Sequence, residues 1–220
     1  MVNNIHQSAI ISKKAKIMPG VEIGPYCKID DNVTINSNTK LISHVCISGN
    51  TIIGKNNVFY PFSSIGLSPQ DLKYKGEKSF LNIGDDNVFR EHVTVNTGTE
   101  GGGLNTSIGN KCLFMVGSHI AHDCKINNHV ILANNATLAG HVYIDDNAII
   151  GGLAAIHQFV RIGKYAMIGG MSGVEQDIIP YGLYIGVRSR LRGLNIIGLK
   201  RKGLNKTNIV NLKNFFKKVF

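Results

Sequence analysis

The chain has 220 residues, a formal net charge of +10, 43% hydrophobic and 17% charged residues. Such a chain can bury a core, which excludes a disordered segment, and its length excludes a disulfide miniprotein. Twenty-five glycines against five prolines and no tryptophan suit many tight corners better than a bundle of long helices.

The opening MVNNIHQSAIISKKAK has no apolar run of signal-peptide length, and nowhere do 18 apolar residues follow one another. A cytoplasmic, soluble protein without a transmembrane segment is therefore expected. Cys27, Cys46, Cys112 and Cys124 show neither CxxC nor zinc-finger spacing and read as reduced packing residues.

From Ile5 an aliphatic or aromatic anchor recurs every six residues through Ile65, and Ile83, Phe89 and Val95 resume the phase. A second series runs from Ile108 to Val174 with the same period. Two positions before most anchors stands a small or β-branched residue, as at Val21, Cys27 and Val33, and glycine often follows the anchor. A helix repeats at 3.6 and a strand at 2, so a strict six requires a short strand plus a corner. Three such units close a triangular coil of 18 residues, and residue i stacks over i+18 at about 4.8 Å. The expected fold is an all-β solenoid, a parallel β-helix over 1–176. Two polar stretches, 67–82 and 97–107, break the phase and should loop out. Residues 177–220 read as a short basic helical region, because Asn205–Phe220 carries Ile209, Leu212, Phe215, Phe216 and Val219 at helical spacing. Residues 178–220 hold ten of the 24 cations and no acid, so the +10 belongs to this end.

The aliphatic ladder fills the prism, so a site must lie on an outer face or between subunits. Five of the eight histidines, His119, His122, His129, His141 and His157, fall within 39 residues. The register stacks Asp123 with His141, His122 with Gly140 and Gln158, and Asn134 with Gly152. Imidazole, carboxylate and amide groups on adjacent coils are what general-base chemistry needs. An exposed histidine is ordinarily just solvated, and a histidine cluster can instead bind zinc; His122 followed directly by Asp123, with four more histidines close by, favours the general base over either.

The hexapeptide pattern resembles the left-handed β-helix acyltransferase superfamily, and the left-handed winding comes from that resemblance alone. The run HIAHDCKINNHVILANNATLAGHVYIDDNAIIGGLAAIHQF (119–159) is similar to the UDP-N-acetylglucosamine O-acyltransferase family of lipid A biosynthesis. QDLKYKGE (70–77), GGGL (101–104), GGMSGVEQD (169–177) and NIIGLKRKG (195–203) extend the match over nearly the whole chain. The resemblance implies transfer of an (R)-3-hydroxyacyl group from an acidic acyl carrier protein to the 3-hydroxyl of UDP-N-acetylglucosamine, in a homotrimer. The donor's phosphopantetheine carries the acyl group, so no further cofactor, metal or covalent enzyme intermediate is implied. It makes His122 the general base, Asp123 its orienting carboxylate and the Gly152 amide the oxyanion donor. Asp71, Lys73, His119, His141, His157 and Gln158 match substrate-contacting positions, Asn195, Arg201 and Lys202 match groups near the nucleotide, and Gly170 matches the position that limits acyl length.

Asn96 stands where the family often has histidine, Ile197 replaces an acidic residue, and Arg188 follows Gly186-Val187 where Gly-Asn-His is more usual. The C-terminal region is also shorter than in typical members. Competing readings are an N-acyltransferase or acetyl-CoA-dependent enzyme of the same architecture, a γ-type carbonic anhydrase holding zinc, and a non-catalytic anion-binding scaffold. Nucleic acid is not an expected partner, because no zinc finger, RNA-binding motif or aromatic platform accompanies the basic tail.

Overall fold

A computed structural model describes residues 3–187 and 190–219; the departure at Arg188 lies outside them. Short parallel strands, most of two residues, build three sheets that form the faces of a prism. The first face begins with Asn4–Ile5, the second with Ile10–Ile11 and the third with Lys16–Ile17. Ile5 pairs with Ile23, Ile11 with Ile29 and Ile17 with Ile35, which is the expected coil of 18. At the excursions the spacing widens: Phe59 pairs with Phe89 and Ile83 with Ile108, insertions of 12 and 7 residues.

Each anchor points inward because alternate residues of a strand face opposite sides and only one side is dry. Ile23, Ile47, Ile120 and Ile150 are fully buried, and the small residues Cys27, Ala136 and Ala148 fill the space between them. Phe59, Phe89 and Phe114 stack along the first face at 4.6 and 4.8 Å. Cys112 and Cys124 are buried free thiols, pushed up to about 11 and about 12 by desolvation, so neither is a nucleophile at neutral pH. Asn57 and Asn87 occupy inward positions too. Each side chain satisfies the corner of the next coil: Asn57 Oδ1 accepts from Asn87 N at 3.0 Å, and Asn87 Oδ1 from Cys112 N at 2.8 Å.

The excursions are shorter than the sequence suggests. Strands Ser64–Leu67 and Phe80–Ile83 confine the first to 68–79, and Thr94–Asn96 and Asn105–Ile108 confine the second to 97–104. The strands extend because Leu81 and Thr106 are buried inward-facing residues that restore the coil before the next anchor. The C-terminal region is also not wholly helical. Ile178 is buried and bridges to Ile162, continuing the stack. Strand Gly182–Ile185 then pairs with Met167–Ile168 and turns back antiparallel into Arg190–Leu194. Only then come helices α1 (Ile196–Arg201) and α2 (Lys206–Val219). In α2, Ile209 is buried, Leu212 and Phe216 are half-buried, and Phe215 and Val219 are exposed. No helix among the described residues is long and apolar enough to cross a membrane.

Candidate active site

The corner between the second and third faces carries the site. Strand His119–Ile120 lies on the second face and Lys125–Ile126 on the third. Between them the chain turns sharply, with Asp123 at φ 59°. His141 and Phe159 make the same left-handed turn one and two coils on, at φ 63° and 68°. Left-handed backbone is costly for residues with a Cβ. Here the next coil holds it in place: His141 N donates to His122 O at 3.0 Å and Phe159 N to Gly140 O at 3.1 Å. The side chains stack in consequence, His141 face to face with Phe159 at 4.3 Å and edge-on to His122 at 5.0 Å.

His122 Nδ1 lies 2.8 Å from Asp123 Oδ2, and the Asp123 side chain is fully buried. A carboxylate only accepts, so Nδ1 carries the proton and Nε2 keeps the lone pair of the neutral ring. The Asp123 oxygens also accept from Thr99 N at 2.9 and 3.1 Å and from Thr99 Oγ1 at 2.6 Å. Asp123 N donates to Thr106 Oγ1 at 2.8 Å. His141 Nδ1 stands 3.9 Å from Asp123 Oδ2; burial pushes this ring below its ordinary value, and the Asp123 charge opposes that. His119 is held by Thr94 Oγ1 at 2.7 Å, and desolvation, helped by His122, also lowers it.

The first excursion folds over this corner. Asp71, Lys73, Lys75 and Glu77 face His141 and Phe159 across a cleft of about 470 Å³. Glu77 ties the two excursions together, accepting from Lys75 N at 2.9 Å and from Glu100 N at 3.1 Å. Asp71 Oδ1 accepts from Lys73 N at 2.9 Å and shapes the turn that presents both residues. Asn96, buried beneath, donates through Nδ2 to Ser68 O at 3.0 Å at the foot of the same excursion. His122, Asp123 and His141 offer three ligand atoms within 4.8 Å of one another. A cation taking Asp123 there would compete with both Thr99 hydrogen bonds.

Of the sequence candidates, Asp71, Lys73, His119, His122, Asp123 and His141 share this corner. His157 and Gln158 follow on the same corner two coils above His122 and are exposed. His129 does not join them, because the corner from the third to the first face carries it. Gly152 and Gly170 are on yet another corner, first to second face, where Met171 N donates to Gly152 O at 2.8 Å. Within one chain, Gly152 therefore cannot share an oxyanion with His122. Asn195 is a helix cap: Oδ1 accepts from Gly198 N at 3.1 Å and Nδ2 donates to Tyr165 O at 3.1 Å. Its side chain thus holds the start of α1. Arg201 and Lys202, at the end of α1, are exposed. That helix is fastened near Tyr165 and Tyr181, at the third–first corner and two to three coils beyond His122.

The chain as a whole is similar to known proteins. A family model described as bacterial transferase hexapeptide (six repeats) matches 105–140, and one described as UDP N-acetylglucosamine O-acyltransferase, domain 2, matches 177–220. An acyl-[acyl-carrier-protein]--UDP-N-acetylglucosamine O-acyltransferase of Thermodesulfovibrio yellowstonii is 54% identical over 219 residues, covering 100% of this chain and 85% of that protein. This chain belongs to the UDP-N-acetylglucosamine O-acyltransferase family. The solved family member from Moraxella catarrhalis superposes with a TM-score of 0.96 at 45% identity, covering 98% of this chain and 84% of that one. The Campylobacter jejuni acyltransferase superposes with a TM-score of 0.95 at 39% identity, over 99% and 84%. An Arabidopsis UDP-N-acetylglucosamine acyltransferase superposes at 0.86 with 36% identity, over 98% and 83%.

In this acyltransferase, two features of the corner escaped the sequence reading. Gly140 sits directly on the His122 ring: a Cβ there would lie 2.5 Å from Cε1 and 2.7 Å from Nε2. The 18-residue ladder of His122 and Gly140 already held that signal. Thr99 carried no such signal, because the second excursion lies outside the repeat.

Proposed function

We propose that this chain transfers an (R)-3-hydroxyacyl group from the phosphopantetheine thioester of an acidic acyl carrier protein to the 3-hydroxyl of UDP-N-acetylglucosamine, in the cytoplasm, as a homotrimer of left-handed coils. The observation that carries this reading is the His122–Asp123 pair, 2.8 Å apart around a buried carboxylate. A sugar hydroxyl is almost un-ionised at neutral pH, so its attack on a thioester needs a positioned base. His122 Nε2 takes the hydroxyl proton as the sugar oxygen bonds to the acyl carbon. The tetrahedral intermediate collapses, the carbon–sulfur bond breaks, and the imidazolium returns its proton to the departing thiolate. Asp123 fixes the tautomer and stabilises the transient cation. No metal, further cofactor or enzyme-bound acyl group enters this scheme.

The Gly140 amide, beside the ring, is the oxyanion donor in place of Gly152. Asp71, Lys73, His119 and His141 contact the sugar nucleotide across the cleft, with His157 and Gln158 continuing the contact surface. Gly152 and Gly170 line the acyl-donor path, and the absent side chain at Gly170 leaves room for a long acyl chain. Arg201 and Lys202 pair with the diphosphate. These groups occupy three different corners of one prism, so a complete site requires neighbouring copies, which supports the trimer.

A mass-spectrometric transfer assay with UDP-N-acetylglucosamine and a set of hydroxyacyl carrier proteins tests the reading. His122→Ala is expected to lower the rate by about 10²–10⁴-fold while the assembly survives. More than about 10% residual rate removes the base assignment. The convergence of His122, Asp123 and His141 also suits a zinc enzyme, which loss of transfer on chelation would favour.

A further inference from the structure

We propose that Thr99 is a positioning residue of this site, fixing the Asp123 carboxylate through its backbone N–H and its hydroxyl so that the carboxylate meets His122 Nδ1 in one orientation. The proposal rests on the acyl-transfer reading for its kinetic readout and on geometry for everything else.

A buried carboxylate is expensive unless donors surround it. His122 supplies one donor, and the second excursion, an insertion of seven residues over the regular coil, supplies the others. It brings Thr99 over the carboxylate, where Oγ1 donates at 2.6 Å to Oδ2, the same oxygen that accepts from His122 at 2.8 Å. Thr99 N donates to both oxygens, at 2.9 and 3.1 Å, and thereby sets the plane of the carboxylate. Charge-assisted bonds this short are the strong class.

The rest of the excursion is built around this contact. A short 3₁₀ turn, Glu100–Gly102, closes on Thr99: its carbonyl accepts from Gly102 N at 3.1 Å and Leu104 N at 2.8 Å. Glu77 anchors the turn through Glu100 N. Glycine is required where the turn passes the carboxylate. A Cβ at Gly98 would lie 2.7 Å from Asp123 Oδ1, and one at Gly102 would overlap the carboxyl group itself. Thr99 is itself buried and also lines the cleft beside His141, so the KM readout separates a positioning role from a substrate contact.

The test compares Thr99→Val, which keeps shape and N–H but loses the hydroxyl, with Thr99→Ser, which restores it. Thr99→Val is expected to lower kcat about 10–100-fold, the effect of losing a hydrogen bond to a charged group, with KM for the sugar nucleotide within about twofold. Thr99→Ser should return most of the rate. In wild type the His122 Nδ1–H should give an exchange-protected proton resonance, and in Thr99→Val that proton should exchange faster. Unchanged kcat and an unchanged resonance in Thr99→Val overturn the proposal, as does a loss confined to KM. If Thr99→Val does not fold, Thr99→Ala, which also keeps the N–H and loses the hydroxyl, must produce the same loss of kcat and of proton protection; wild-type behaviour there overturns the proposal. If wild type transfers no acyl group, the acyl-transfer reading fails, and the proton resonance alone decides the role of Thr99.

Discussion

Adding one methyl group at position 140 tests the site directly. Gly140 lies outside the left-handed region, so alanine is tolerated by the backbone. The new Cβ would stand 2.5, 2.7 and 3.1 Å from Cε1, Nε2 and Nδ1 of His122. Ordinary carbon contacts begin at about 3.5 Å, so something must give by about 1 Å. The two corners are fixed against each other by His141 N to His122 O and Phe159 N to Gly140 O, so the ring moves rather than the backbone. It cannot retreat that far and keep a 2.8 Å bond to a carboxylate that Thr99 holds in place. A misplacement of about 1 Å costs on the order of 10²-fold in rate, about 2.7 kcal/mol in the barrier. Gly140→Ala should therefore lower kcat in the mass-spectrometric assay about a hundredfold. Alanine keeps the amide N–H, so the loss reports ring position and not a missing oxyanion donor. Overpacking costs about 1–3 kcal/mol, which permits a folded variant. A folded Gly140→Ala with kcat within about threefold of wild type would refute the reasoning.

Phe89→Ala removes the middle ring of the Phe59–Phe89–Phe114 stack and should cost about 3–5 kcal/mol in denaturant unfolding; a loss under about 1 kcal/mol would mean that the coil closes over the gap. His119 is lowered by desolvation in the folded chain, whereas the unfolded chain protonates it near the ordinary pKa of about 6.5. Below that pH the unfolded state binds the extra proton, so stability falls as pH drops from about 6.5 toward the lowered folded value and is unaffected above it. Thermal melts across that window should show the loss reduced in His119→Asn, and an equal loss in both proteins would contradict it. Gly170→Met should shift the preferred donor toward shorter hydroxyacyl chains in acyl-chain profiling, and an unchanged preference removes the acyl-length role.

The coil was legible because it is periodic. Ile5, Ile23 and Leu41 report the same physical demand three times, and the pairing of Ile5 with Ile23 and Ile23 with Leu41 follows from it. The same register makes His122, Gly140 and Gln158 neighbours. What lay outside the period was not legible. Thr99 reaches Asp123 through a 3₁₀ turn whose shape depends on Gly98, Gly102 and an anchor at Glu77, and no spacing rule encodes that. Asn195 shows the converse: sequence similarity marked the position, whereas the capping bond to Gly198 N is a local rule that reads equally well as structure. Gly152 shows another limit: glycines recur at many corners, and only the sheet order shows that its corner is not the one that carries His122 in the same chain.

The separation of these groups also determines what the charge can do. Ten cations and no acids lie in 178–220, whereas 1–177 balance 14 against 14. The start of α1, which leads into the helices that carry much of this charge, is fastened near Tyr165 and Tyr181, two to three coils beyond His122. At about 4.8 Å per coil that is roughly 10–15 Å along the axis, at or beyond the Debye length of about 8 Å in physiological salt. At that distance the anchored start of the cap lies too far to tune the proposed proton transfer in its own chain, and under the proposed function the cap would steer an acidic carrier and a diphosphate toward the prism end. Capture then depends on the cap and on salt. The chemical step, under the proposed mechanism, depends on the few contacts that hold one imidazole against one buried carboxylate.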